Sequence, residues 1–142
     1  LPENKPRYAM GLGTPAQLVE LVARGVDLFD CVLPTRVARN GTAFTSRGAI
    51  SIKASREKKV FAPIEEGCKC YACMHFTRAY LRHLLKAEEI LGLRMLSVHN
   101  SHFYHELMRQ IRRHLDNGTF NEFRQEFTAT YIPTQRVLES RK

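Results

Sequence analysis

"GLGTPAQLVELVARGVDLFDCVLPTR", residues 11–36, carries the pattern that decides the fold. Thr14 is a good helix N-cap, Pro15 suits the first helical position, and Gln17 completes a capping box. Leu18, Leu21 and Val22 then form an apolar stripe, and Gly25 is a natural stop. Beyond it, Leu28, Phe29, Cys31, Val32 and Leu33 read as a short buried strand that Pro34 closes. Residues 1–9 are Pro-rich, polar and extended. An extended start, a Gly-rich turn, a helix and a strand make an alternation of the α/β kind. Asp30 interrupts the strand. A carboxylate taken out of water costs several kcal/mol unless it is paired or used. Asp30 therefore reads either as a cap on a neighbouring loop or as a reactive group.

After Pro34 the composition turns polar, basic and Gly-punctuated. Thr42–Thr45 and Ile50–Lys53 read as two short strands around a turn at Ser46–Gly48, a hairpin laid outside the main sheet. Residues 62–73 hold Pro63, Gly67 and three cysteines and read as a loop. From Phe76 to Leu91 a helix is predicted, with Phe76, Tyr80, Leu84 and Ala87 on one face and Gly92 ending it. Asn100 is placed to cap a second helix carrying Phe103, Leu107, Ile111 and Leu115, stopped by Gly118. Thr119 and Glu122 read as a capping box for a last helix carrying Phe120, Phe123 and Phe127. Residues 132–142 read as a frayed tail.

The 142 residues fit one domain, and 44% hydrophobic with 25% charged residues is ordinary for a globular protein. No apolar run approaches the ~18 residues of a membrane span. Glu3, Lys5 and Arg7 argue against a signal peptide near the start. The chain begins at Leu1 rather than Met, which reads as a piece of something longer. Net charge is +8 and unevenly spread. Arg36, Arg39, Arg47, Lys53, Arg56, Lys58 and Lys59 face a single acid, Glu57, within residues 36–59. A local excess of this kind suits a polyanion such as nucleic acid.

Four cysteines without a secretory signal point to a cytoplasmic address, where cysteines tend to be metal ligands or structural thiols. "CKCYAC" places Cys68, Cys70 and Cys73 in a Cys-x-Cys-x2-Cys cluster. Three thiols so close cannot pair comfortably with one another, but all can reach one Zn²⁺, which binds thiolates at about 2.3 Å in a tetrahedron. The fourth ligand is open at this point: His99, His102 and His105 are candidates, and His75 is a poorer one, being so near Cys73. With four protein ligands the zinc would be structural, one per chain.

"RYAMGLGTP", "DLFDCVLPTRVARNG", "CKCYAC" and "HN" at the head of an amphipathic helix occur in that order. In this combination the chain resembles the C-terminal part of a bacterial-type tRNA-guanine transglycosylase (queuine tRNA-ribosyltransferase) over about residues 5–131. The resemblance implies the C-terminal segment of a (β/α)8 barrel with an inserted zinc subdomain. It also implies a pentosyltransferase of queuosine biosynthesis, which exchanges the wobble guanine of a tRNA anticodon for a 7-deazaguanine, in bacteria 7-aminomethyl-7-deazaguanine. Asp30 matches the family's nucleophile, which forms a covalent ribosyl ester in a double displacement. Tyr8, Met10 and Gly11 match residues lining the base pocket. Gly11, Leu12, Gly13, Thr14, Pro15, Ala16 and Gln17 match one RNA-contact stretch, and Thr35, Arg36, Val37, Ala38 and Arg39 a second. Cys68, Cys70, Cys73 and His99 match the four zinc ligands. The partners implied are tRNA, the exchanged bases and a second copy in a homodimer.

The division expected is 1–41 for the last barrel strands with nucleophile and RNA loops, 42–99 for the zinc subdomain, 100–131 for the C-terminal helices and 132–142 for the tail. No motif matches the family's general acid/base, so the lone polypeptide is expected to be inactive. The rival reading is a non-catalytic zinc module for RNA binding or dimerisation.

Overall fold

In the computed structural model, which describes residues 2–133, helix α1 (Pro15–Ala23) starts as its sequence dictates. Thr14 Oγ1 accepts from the Gln17 N–H at 3.2 Å, and Gln17 Oε1 accepts from the Thr14 N–H at 3.1 Å. Leu18 and Val19 are buried on its inner face. Strands β1 (Tyr8–Ala9) and β2 (Leu28–Phe29) flank it and pair in parallel, Tyr8 opposite Leu28 and Ala9 opposite Phe29. The result is one β–α–β unit, as the helix-to-strand alternation predicts.

The strand around Asp30 is shorter than predicted. β2 ends at Phe29, and Asp30 lies beyond it, exposed rather than buried. Leu28 and Val32 are 53% and 58% exposed, so the apolar run is not a core strand. Cys31 Sγ accepts the Leu33 N–H at 3.2 Å and turns the chain, and helix α2 (Leu33–Arg39) begins at once. Pro34 does not close a strand. It sits in the first turn of α2, where its missing N–H costs no hydrogen bond.

β3 (Thr42–Thr45) and β4 (Gly48–Ser51) form the predicted separate antiparallel hairpin, with the second strand starting two residues earlier than Ile50. Gly48 also bridges Ile132, whose N–H donates to the Arg47 carbonyl at 3.1 Å. The start of the expected frayed tail is thus tied down; residues 134–142 lie outside the described ones. A 3-10 turn (Ser55–Lys59) follows.

The single helix predicted over 76–91 is two. α3 (Tyr71–His75) precedes α4 (Arg78–Lys86), which Thr77 caps by accepting the Tyr80 N–H at 3.2 Å. α4 buries Leu81, Leu84 and Leu85, while Tyr80 and Ala87 are exposed. Glu88 breaks the helix at a positive φ of 59°. Gly92 ends nothing: it lies inside α5 (Ile90–Asp116), where a Cβ would stand 3.0 Å from that of Leu84, so its bareness lets α4 and α5 approach.

Asn100 is not a cap. It lies mid-way along α5, fully buried, and α5 runs without a break across residues 99 and 100. Leu107 and Ile111 are buried as predicted, but Leu115 is 48% exposed. Gly118 does terminate α5, at a φ of 70°. α6 (Phe120–Thr130) forms as predicted but without the Thr119–Glu122 capping box: the Thr119 backbone stands at ψ 22° rather than in the extended N-cap region, and its hydroxyl contacts His114 Nδ1 at 2.8 Å.

Two cores result. Ile52, Ile64, Leu81, Leu85 and Leu96 pack beneath the hairpin and the cysteine loop. Leu18, Val19, Leu107, Ile111 and Phe123 pack between α1, α5 and α6. α5 contributes to both and is the beam that joins them. No helix among the described residues is long and apolar enough to cross a membrane.

Candidate metal centre and carboxylate site

Cys68, Cys70, Cys73 and His99 converge, with their four donor atoms all within 4.8 Å of one another. The loop 62–70 brings Cys68, Cys70 precedes α3, Cys73 sits in α3, and His99 reaches in from α5. His99 Nδ1 stands 3.9 Å from Cys68 Sγ and 3.4 Å from both Cys70 Sγ and Cys73 Sγ. A tetrahedral ion with thiolates at about 2.3 Å needs ligand–ligand edges of about 3.5–3.8 Å, so these spacings fit one metal ion. All four cysteines are free of disulfides.

The ring of His99 is oriented from its far side. Its Nε2 lies 2.7 Å from the Phe44 carbonyl, which can only accept. The proton therefore sits on Nε2, and Nδ1 turns its lone pair toward the thiols, the usual device for fixing a metal-binding imidazole. Without a cation the thiols ionise unequally. The hydrogen bond from Cys73 holds the Cys70 thiol well below its usual range. Burial pushes Cys68 up, and the bond to Cys70 together with burial pushes Cys73 up. A divalent ion removes this conflict by stabilising all three thiolates. The other histidine candidates lie elsewhere: His75 is exposed against Tyr71, His105 is exposed, and His102 lines a cleft of about 560 Å³ between the cysteine loop and α5–α6.

Asp30 stands at the C-terminal end of β2, beside the C-terminal end of β1. The Tyr8 hydroxyl donates to Asp30 Oδ1 at 2.6 Å, and the Gly11 N–H donates to the same oxygen at 3.0 Å. These bonds, Tyr8 first, hold the Asp30 carboxyl below the usual carboxylate range, while the same contact pushes the Tyr8 phenol up. The site thus presents an ionised, solvent-facing carboxylate oriented by two donors. Met10 beside it is 76% exposed. Under the site, Gly13 packs on Cys31: a side chain at Gly13 would collide with the Cys31 Cβ and come within 2.7 Å of its sulfur.

The two basic or Gly-rich segments present only part of themselves. In 11–17, Gly11 and Leu12 are exposed, Gly13 and Pro15 are buried, and Thr14 and Gln17 are engaged in the capping box. In 35–39, Thr35, Arg36 and Arg39 face outward and Ala38 is fully buried.

Three residues that sequence reasoning missed tie these parts together. The Phe44 carbonyl accepts from His99, and the Phe44 N–H donates to Asn100 Oδ1 at 3.0 Å. The Tyr104 hydroxyl donates to the Gly13 carbonyl at 2.6 Å. The only sequence signal was polar residues inside the otherwise helical run 90–116, which an N-cap reading of Asn100 absorbed wrongly.

A protein-family model described as "Queuine tRNA-ribosyltransferase" matches residues 1–133. The chain is 56% identical over 131 residues to the queuine tRNA-ribosyltransferase of Francisella tularensis subsp. tularensis (strain WY96-3418), covering 92% of this chain and 36% of that protein. It is 53% identical over 131 residues to that of Streptococcus equi subsp. zooepidemicus (strain H70), covering 92% of this chain and 34% of the relative. The chain therefore spans about a third of the length of the curated relatives it matches.

Proposed function

The chain belongs to the queuine tRNA-ribosyltransferase family, and on that premise we propose that it forms the nucleophile-bearing part of a tRNA-guanine transglycosylase of queuosine biosynthesis. The observation that carries the reading is the Asp30 carboxylate: exposed, ionised, aimed by Tyr8 and Gly11, and flanked in sequence by the 11–17 and 35–39 segments. Asp30 attacks the anomeric carbon of the wobble nucleotide. A C–O ester bond forms, the C–N bond to guanine breaks, and the base leaves with the bonding pair. An incoming 7-deazaguanine, 7-aminomethyl-7-deazaguanine in bacteria, then displaces Asp30, so configuration is retained. The acid that protonates the leaving base is supplied by another part of the protein.

Tyr8, Met10 and Gly11 border the base, Met10 offering a soft exposed face for stacking. Gly11, Leu12, Thr35, Arg36 and Arg39 are the outward groups that grip the RNA, the arginines on phosphates. Cys68, Cys70, Cys73 and His99 hold a structural Zn²⁺, since four protein ligands leave no open position. The parallel β1–α1–β2 unit is the repeating piece of a (β/α)8 barrel, and both Asp30 and Gly11 follow the C-terminal ends of its strands, where such barrels place reactive groups. The division into 1–41, 42–99, 100–131 and 132–142 and a cytoplasmic location belong to the same reading. So does a homodimer, supported by an aromatic row, Tyr71, Phe76, Tyr80 and His83, with Tyr71 57% and Tyr80 43% exposed.

The test is guanine exchange into tRNA by the natural protein carrying this chain, beside Asp30→Asn and Arg36→Ala/Arg39→Ala variants. Asp30→Asn is expected to lose about 10³-fold or more and to abolish the trapped RNA–protein adduct. The arginine pair is expected to weaken tRNA binding. An unchanged rate in Asp30→Asn removes the nucleophile assignment and leaves the binding-module reading.

A further inference from the structure

We propose that Asn100 and Tyr104 of α5 are positioning residues, which hold the two segments flanking Asp30 in register with each other. The inference rests on the transglycosylase reading above. The two side chains are four residues apart and so share a face of the helix. Asn100 is fully buried. Its Nδ2 donates to the Pro34 carbonyl at 2.9 Å and to the Thr42 carbonyl at 3.0 Å, and its Oδ1 accepts from the Phe44 N–H at 3.0 Å. Burying an amide is costly unless it is satisfied, and here all three of its bonds go to backbone groups of other elements. What the amide adds is geometry. Pro34 lies in the first turn of α2, so fixing its carbonyl fixes the helix that carries Arg36 and Arg39.

One turn on, the Tyr104 hydroxyl donates to the Gly13 carbonyl at 2.6 Å, across 91 residues of sequence. Gly13 lies two residues after Gly11, whose N–H holds Asp30, and packs on Cys31, the residue after Asp30. A shift of Gly13 therefore moves both the carboxylate's donor and its own backbone. The Phe44 ring fills the space between, 5.8 Å from that of Phe103 and 5.4 Å from that of Tyr104. One face of one helix thus sets the separation of residues 11–17 from residues 35–39. The chemistry is sensitive to such spacing, because a misplacement of about 1 Å can cost on the order of 10²-fold in rate.

The experiment uses the natural protein carrying this chain, with Tyr104→Phe, Asn100→Ser and, as control, Asp30→Asn. Tyr104→Phe removes one oxygen and keeps the ring. It is expected to retain its metal and cooperative unfolding, while kcat for guanine exchange falls about tenfold or more. Asn100→Ser is expected to raise the KM for tRNA more than it lowers kcat, since it loosens the arginine helix. Wild-type kcat and KM per folded molecule in both variants, with only a lowered Tm, overturn the proposal: the residues are then fold locks alone. Should Asn100→Ser not fold, Tyr104→Phe decides. Exchange surviving in Asp30→Asn removes the nucleophile assignment, and absence of guanine exchange in the wild type sinks the transglycosylase reading itself; both results are separate from either positioning outcome.

Discussion

Asp30 holds two donors on one oxygen, and the stronger influence is the Tyr8 hydroxyl. The bond stabilises the carboxylate over the acid, so it lowers the pH at which the proposed nucleophile becomes available. Tyr8→Phe removes it, and the Asp30 pKa rises toward its ordinary value. The acid limb of the kcat/KM profile is then expected to move to higher pH, with the alkaline side changed less. A limb that stays in place or moves down contradicts the assigned role of the Tyr8–Asp30 bond. Asp30 was legible as an oddity in the sequence, but its environment was not. The apolar letters around it suggest burial, and the chain turns to solvent there instead. Among the described residues the buried carboxylate is Glu57, beside Arg56 at 3.2 Å and Arg78 at 3.5 Å. Nothing in the local sequence separates these two acids, because burial depends on what other segments lay over each.

Among elements, the cysteine loop with α3 sinks Ile64 and Ala72 into the core and carries the three clustered thiols. Arg78 braces it by donating to the Pro63 and Ile64 carbonyls at 2.9 and 2.6 Å, and His99 anchors it to α5. Most of its order is expected to come from the metal, whose binding can contribute on the order of 10 kcal/mol. Cys70→Ser is expected to fall from one bound zinc per chain to far less and to lower Tm sharply. Chelation of the wild type should have the same effect. Full metal content and unchanged unfolding in Cys70→Ser show the site to be misassigned. The cluster itself was readable from Cys-x-Cys-x2-Cys, as was the α1 capping box, because both are encoded within a few residues. Helix α5 was not readable. Gly92 and Asn100 are terminator and cap by local rules, yet both lie inside it, Gly92 because α4 packs close and Asn100 because three backbone groups from other elements need its amide.

For the whole molecule, the aromatic row with exposed Tyr71, Tyr80 and His83 around half-buried Phe76 is the feature that a second copy would cover. Aromatic residues are enriched at interface cores, and a charge placed among them is costly to bury. The natural protein is expected to sediment as a dimer and Tyr80→Asp as a monomer with its metal retained. A wild-type monomer at assay concentration removes the dimer. The sequence by itself determined the β–α–β start, the hairpin, the metal-binding thiols and the basic run, since these depend on capping chemistry, alternation, ligand spacing and charge within short windows. Tertiary structure alone decided that the Phe44 carbonyl turns the His99 ring toward the thiols, that Asp30 is exposed and oriented by Tyr8, and that α5 joins the candidate metal centre to both segments beside the carboxylate. Those facts follow from contacts between residues as many as 91 positions apart, which no local pattern contains.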